Sequence, residues 1–153
     1  MHKSVDVVCI TLSSPVLIGI YEDKQLIKTI SSEEKTSDVL PKIFEDILKE
    51  YDIERLFYAK GPGSFMAIKI TYLFLKSLSI LKNIPLFATD AFYFNNNQPI
   101  KAIGKLFFVK ISSNIETQKL EKAPTSKFEL KDVLEYDEFD ENTTPLYAIG
   151  AVG

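Results

Sequence analysis

Apolar and polar positions alternate between two rhythms along the chain. Residues 5–12 form a largely apolar, β-branched run, which predicts a strand buried on both faces. Ser13-Ser14-Pro15 is a turn signal, and residues 16–21 read as a second strand. Glu22-Asp23-Lys24 turns the chain again, and residues 25–30 return as a third strand. Three strands joined by tight turns make an antiparallel meander. The rhythm then changes. Val39, Leu40, Ile43, Phe44, Ile47, Leu48 and Tyr51 fall on one helical stripe, with Lys42, Glu45, Asp46, Lys49 and Glu50 on the other side. Asp38 is the expected N-cap, which would put Pro41 in the first turn, where a missing N–H costs little.

Residues 55–60 predict a short strand. Gly61-Pro62-Gly63-Ser64 reads as a turn ending in a cap, and a long helix runs from residue 65 to about 82. Residues 85–89 read as another strand, with Asp90 capping a short helix or turn to residue 95. Asn95-Asn96-Asn97-Gln98-Pro99 is a polar break and the expected lobe boundary. Beyond it, residues 102–111 and 115–120 predict a strand pair, and residues 146–149 a last strand. The order is β-β-β-α-β-α-β, an α/β pattern that suits a mixed sheet with helices on its faces. This is the order of the ribonuclease-H-like lobe shared by actin, sugar kinases and Hsp70-type ATPases, an analogy of fold that proves no activity. The division expected is residues 1–96 as an actin-like lobe and 97–153 as a shortened second lobe of strands and loop.

The second helix is unusually apolar. Ala67, Ile70, Phe74, Leu78 and Leu81 share one face, which is expected to pack on the sheet. Lys69 and Lys76 lie opposite, among Phe65, Tyr72, Leu73 and Ile80. Leaving such a Leu or Ile exposed forgoes roughly 1.5–3 kcal/mol relative to burial. Two readings stand: the chain covers this flank itself, or the flank is a protein–protein interface with the two lysines at its rim.

Composition narrows the chemistry. The 153 residues are 46% hydrophobic, enough for a core, and the net charge is −3. That balance argues against broad electrostatic binding of naked nucleic acid, leaving RNA held only through a basic partner. Cys9, the single cysteine, reads as a small buried residue. Asp6 interrupts any signal-peptide core, and two lysines seven residues apart disqualify the second helix as a membrane span, so a cytoplasmic location is expected. His2 is the only histidine, which leaves no Ser-His or Cys-His pair and no zinc cluster. The acids Glu129, Asp132, Glu135, Asp137, Glu138, Asp140 and Glu141 read as a solvated loop, or otherwise as a patch facing a basic partner or repelling RNA. Gly61, Gly63 and Ser64 before a helix N-terminus make either a tight strand-to-helix turn or an anion-binding loop. The segment lacks the Lys-Ser/Thr ending of a P-loop.

Gly61-Pro62-Gly63-Ser64-Phe65-Met66-Ala67-Ile68-Lys69-Ile70 resembles the signature GPGSFTGxRIG of the TsaB (YeaZ) family. The surroundings are similar too: Val8-Cys9-Ile10-Thr11-Leu12-Ser13 where that family has a strand ending in Asp-Thr-Ser, Leu40-Pro41 and Asp46-Ile47-Leu48 in the first helix, Leu75-Lys76-Ser77-Leu78 for Ala-Lys-Gly-Leu, and Asn83-Ile84-Pro85-Leu86 before the next strand. The resemblance covers about residues 4–94, and is faint at 102–111 and 147–150. It implies a subunit that pairs with a TsaD-like catalytic protein, with a TsaE-like ATPase in the larger assembly that makes threonylcarbamoyladenosine (t6A) on tRNA. tRNA would be met only indirectly, and a homodimer is a further option when the chain is alone. On this reading Lys69, Tyr72, Leu73, Lys76 and Ile80 touch the partner.

The departures from that signature point away from catalysis. Thr11 and Leu12 replace the strand-end Asp-Thr, so the acid that helps hold Mg²⁺ and phosphates in active relatives is gone. Lys69 replaces an Arg and loses bidentate anion recognition. Met66-Ala67 replaces Thr-Gly, and Thr71 and Ser77 replace glycines. An inactive subunit with no cofactor and no metal is therefore expected. The alternative is a small ASKHA-type nucleotide-binding or phosphotransfer enzyme. It needs a carboxylate beside the Gly61–Ser64 loop, and Asp6, the nearest acid on that strand, stands at its wrong end.

Overall fold

The computed structural model describes residues 2–122 and 127–146. Strands β1 (Lys3–Ile10), β2 (Val16–Glu22), β3 (Gln25–Ser32), β4 (Tyr51–Ala59) and β5 (Leu86–Thr89) form one mixed sheet in the order β3-β2-β1-β4-β5. β1 lies antiparallel to β2 and parallel to β4, and β4 lies parallel to β5. The central position of β1 explains its largely apolar run, since side chains on both faces are covered. Asp23 and Lys24 take left-handed backbone angles in the β2–β3 turn, which matches the twist of a two-residue hairpin.

Helices α1 (Thr36–Glu50) and α2 (Phe65–Lys82) pack together on one face. α1 buries Val39, Leu40, Ile43, Phe44 and Ile47, the apolar stripe of the sequence. Its start differs from expectation. Lys35 is the N-cap and Asp38 sits inside the first turn, where its charge still favours the helix dipole. Pro41 therefore falls beyond the first turn, on the exposed side. The helix ends at Glu50 and Tyr51 begins β4 without a loop, so β4 is four residues longer at its start than the pattern of 55–60 suggested.

The segment 102–111 is not one strand. β6 (Ile100–Lys101) and β7 (Leu106–Ile111) are separated by a turn in which Gly104 takes a left-handed angle, and with β8 (Asn114–Lys119) they form a second, three-stranded antiparallel sheet. Lys110 on β7 donates to Asp90 at 2.5 Å, tying that sheet to the first. Asp90 also accepts from the Phe92 amide, as expected of a cap.

The acidic stretch corrects the expectation of a free solvated loop. Its carboxylates point outward, but residues 127–140 return as a strap across the sheet face that the helices leave bare, and residues 141–146 continue past the β5 edge toward Tyr58, Lys60 and Gly61. Leu134 and Phe139 are buried. At the β3 edge, Leu26 donates to Asp132 and Leu134 donates to Lys24. At the opposite edge, Ala88 and Asp140 exchange a pair of backbone bonds. Between the edges, Phe139 meets Phe57 edge-on at 4.8 Å and Tyr136 stacks on Phe57 at 5.7 Å. Four phenols complete the attachment. Tyr21 donates to the Lys131 carbonyl, Tyr93 to Glu135, Tyr136 to Asp6 and Tyr58 to the Thr143 carbonyl. Asp6, nearly buried, also takes Arg55 at 3.0 Å, and Arg55 and Lys24 both lie against the Tyr136 ring. Of the expected strand at 146–149, only Leu146 lies within the described residues; its amide donates to the Lys60 carbonyl.

Two consequences are measurable. Phe139→Ala removes the strap's main aromatic anchor and should cost about 3 kcal/mol of unfolding free energy in a denaturant titration. The phenols set an alkaline limit. Burial and then the bond to Asp6 push Tyr136 up to about 12, and burial raises Tyr21 and Tyr93 as well. The folded chain thus keeps these protons where the unfolded chain, with phenols near 10, has lost them. Stability should fall as pH rises from about 10 through 12. Tyr136→Phe should make that fall shallower, read by the denaturation midpoint across that range.

Candidate partner-docking surface

α2 owes its orientation to a polar contact. Its buried residues are Ile68, Thr71 and Leu75, and the Thr71 hydroxyl bonds to that of Thr11 at the end of β1, 2.7 Å away. Satisfied in this way, a threonine sits in the core at little cost. Tyr72 leans the same way and stacks on Tyr58 at 6.2 Å. This turns the expected inner face of Ala67, Ile70, Phe74, Leu78 and Leu81 aside: Phe74 and Leu78 pack half-buried against the core, and Ala67 and Ile70 are half-buried at its margin. Leu81 is 82% exposed, and the helix is rotated by about one residue, 100°, from that expectation. Phe74 packs sideways on Phe44 of α1 at 5.3 Å.

The outer side is consequently apolar. Met66 is 59% exposed, Leu73 54% and Ile80 71%, with Phe65 also exposed. Lys69 and Lys76 stand beside them in solvent. Among the described residues neither lysine has a carboxylate within ion-pair distance. Of the five residues singled out from sequence, Lys69, Leu73, Lys76 and Ile80 face outward, and Tyr72 is half-buried against Tyr58. Met66 and Leu81 belong to the same exposed surface. The spacing of apolar residues carries a signal for them, but Thr71 counts as polar in any hydropathy pattern although it is buried, which displaces the expected inner face.

The Gly61–Ser64 loop is packed against its own chain. Gly61 takes a φ of 119°, and a side chain there would approach the Leu146 carbonyl to 2.9 Å. A side chain on Gly63 would meet the Leu12 carbonyl at 2.9 Å, and the Ser64 amide donates to that same carbonyl. The absence of side chains thus permits close approach of the chain's own backbone. Ser64 is the N-cap of α2, although its hydroxyl makes no cap bond. The adjacent hollow of about 210 Å³ is lined by Thr11, Ser13, Ser14, Ser64, Glu33, Glu34 and Lys35. Two carboxylates against one ammonium make poor company for a phosphate. Among the described residues no group of three His, Cys, Asp or Glu is placed to hold a metal ion, and no helix is long and apolar enough to cross a membrane. Cys9 is fully buried, which pushes its thiol pKa up and keeps it unreactive.

No family model matches the sequence, and no curated protein is similar to it at a significant level. Solved structures are similar in fold. YeaZ from Pseudomonas aeruginosa superposes with a TM-score of 0.56 at 12% identity, over 81% of this chain and 66% of that one. A second structure, described as an uncharacterized protein with similarity to peptidase YEAZ from Pseudomonas aeruginosa, gives 0.55 at 12% identity, over 76% of this chain and 64% of that one. The chain spans just under two thirds of the length of these neighbours, and over that span its fold is the fold of YeaZ.

Proposed function

We propose that this chain is a non-catalytic, cytoplasmic partner subunit of the TsaB type in t6A synthesis. It binds and supports a TsaD-like catalytic subunit, with a TsaE-like ATPase in the larger assembly and tRNA held by its partners. The observation that carries this reading is the exposed apolar stripe on α2, in a chain with a YeaZ fold. A monomer gains nothing from Met66, Leu73 and Ile80 in water, and a partner helix laid on them recovers that loss. Residues 97–153, with their small sheet and strap, then stand for a shortened second lobe.

The non-catalytic part of the reading rests on the end of β1. Thr11 and Leu12 stand where a nucleotide-binding relative needs an acid, and the Thr11 hydroxyl is engaged by Thr71. The hollow beside Ser64 offers carboxylates but only one cation.

Two measurements test this. Tagged protein purified from its native cells should bring a TsaD-like protein with it, and Leu73→Asp should reduce that recovery at least tenfold, since a charge in the middle of a desolvated patch costs more than about 1.4 kcal/mol. Undiminished recovery would remove α2 from the interface. Isothermal titration with Mg-ATP should release no measurable heat; saturable micromolar binding would instead support the nucleotide-binding alternative.

A further inference from the structure

We propose that the free edge of β3, with the hollow beside it, takes an extended strand of a different protein in which a large apolar residue stands between acidic ones. β3 is the outermost strand on its side of the sheet. The strap reaches its edge only at the start, through the bonds at Lys24 and Leu26 and the bridge between Gln25 and Val133. From Ile27 to Ser32 the described residues supply no main-chain partner on the side away from β2. This stretch holds two isoleucines, a threonine and a single lysine, with no proline and no acid. Ile27 is 43% exposed. Such an edge favours strand addition, because it carries few of the charges and breaks that keep other strands away.

A side-chain pocket adjoins the edge. Thr29 pairs with Gly19, whose strap-facing side meets Leu130. On that face a hollow of about 570 Å³ opens over Ile10, Leu17 and Leu26, with Thr29 on its β3 side and Phe128 and Leu130 walling it on the strap. Alternate side chains of a strand laid beside β3 face this hollow, which has room for an aromatic ring. The remaining side chains face the other side of the sheet, where Lys28 pairs with Ile20. Lys28 is exposed, and among the described residues no carboxylate lies within ion-pair distance of it. An acid next to the apolar residue comes to rest across from that ammonium. The unpaired N–H and C=O groups thus supply the attraction, and one pocket and one charge supply the selection. A second copy of β3 has no acid to bring to Lys28.

Fluorescence anisotropy with a labelled synthetic peptide tests this. The probe alternates Glu with Val and carries Phe in place of its central Val. It should bind saturably, and exchanging that Phe for Ala should weaken binding at least about tenfold. Methylating one alternate set of its amides should abolish binding while methylating the other set should not, since a strand turns only every second N–H toward its neighbour. Thr29→Trp, which fills the mouth of the hollow from an exposed position, should weaken binding about tenfold with the denaturation midpoint unchanged. Lys28→Glu should lose the Glu peptide and gain its Lys counterpart. Leu73→Asp should change none of these values, which separates this edge from the α2 surface. Absence of saturable binding would overturn the proposal, as would binding indifferent to the methylation pattern or to Thr29→Trp. A dimer of the pure chain in sedimentation velocity that Thr29→Trp dissolves would also overturn it, by giving the edge to a second copy.

Discussion

Everything in this molecule depends on the strap of residues 127–140 closing the second face of the sheet. A five-stranded sheet with an apolar central strand has two faces to cover, and α1 and α2 cover one. The other presents Ile10, Leu17 and Phe57. Two apolar anchors, Leu134 and Phe139, and the phenols of Tyr21, Tyr93 and Tyr136 fix an otherwise irregular segment there. The backbone bonds at Leu26 and Ala88 occupy part of each edge strand. That manages, with a few residues, the exposed-edge problem that sheets face.

The strap also explains why Asp6 can be buried. A carboxylate in that position needs its lone pairs filled; Arg55 donates to one oxygen and Tyr136 to the other. The Tyr136 ring in turn takes the flanks of Arg55 and Lys24. The acid on β1 is thus committed to architecture, at the end of the strand remote from the Gly61–Ser64 loop. At the loop end, Thr11 spends its hydroxyl on orienting α2. Asp6 within β1 and Thr11 just past its end both serve to hold elements in place, and the outer side of α2 is left apolar. Leu12 and Leu146 pack against the loop glycines.

Much of this was legible in the residues. The largely apolar run in β1, the stripe of α1 and the turn residues between them specified a mixed α/β fold, because local periodicity and burial agree there. The apolar excess of α2 was legible as well, and Lys69, Leu73, Lys76 and Ile80 are exposed on it. The length of the apolar segment at 102–111 hid a break at Gly104, since periodicity alone does not mark a turn within an apolar run.

What tertiary structure decided were the features that depend on contacts distant in sequence. Which side of α2 faces inward follows from the bond between Thr11 and Thr71, sixty residues apart; hydropathy treats both as polar and cannot know that they satisfy each other. The acidic stretch likewise reads as solvated because its charges outnumber its anchors. Leu134, Tyr136 and Phe139 gain their meaning only when β3, β4 and β5 are already gathered into one sheet to receive them. Sequence alone fixes what a segment prefers next to its neighbours along the chain; burial and hydrogen-bond satisfaction are settled by what the fold brings beside it.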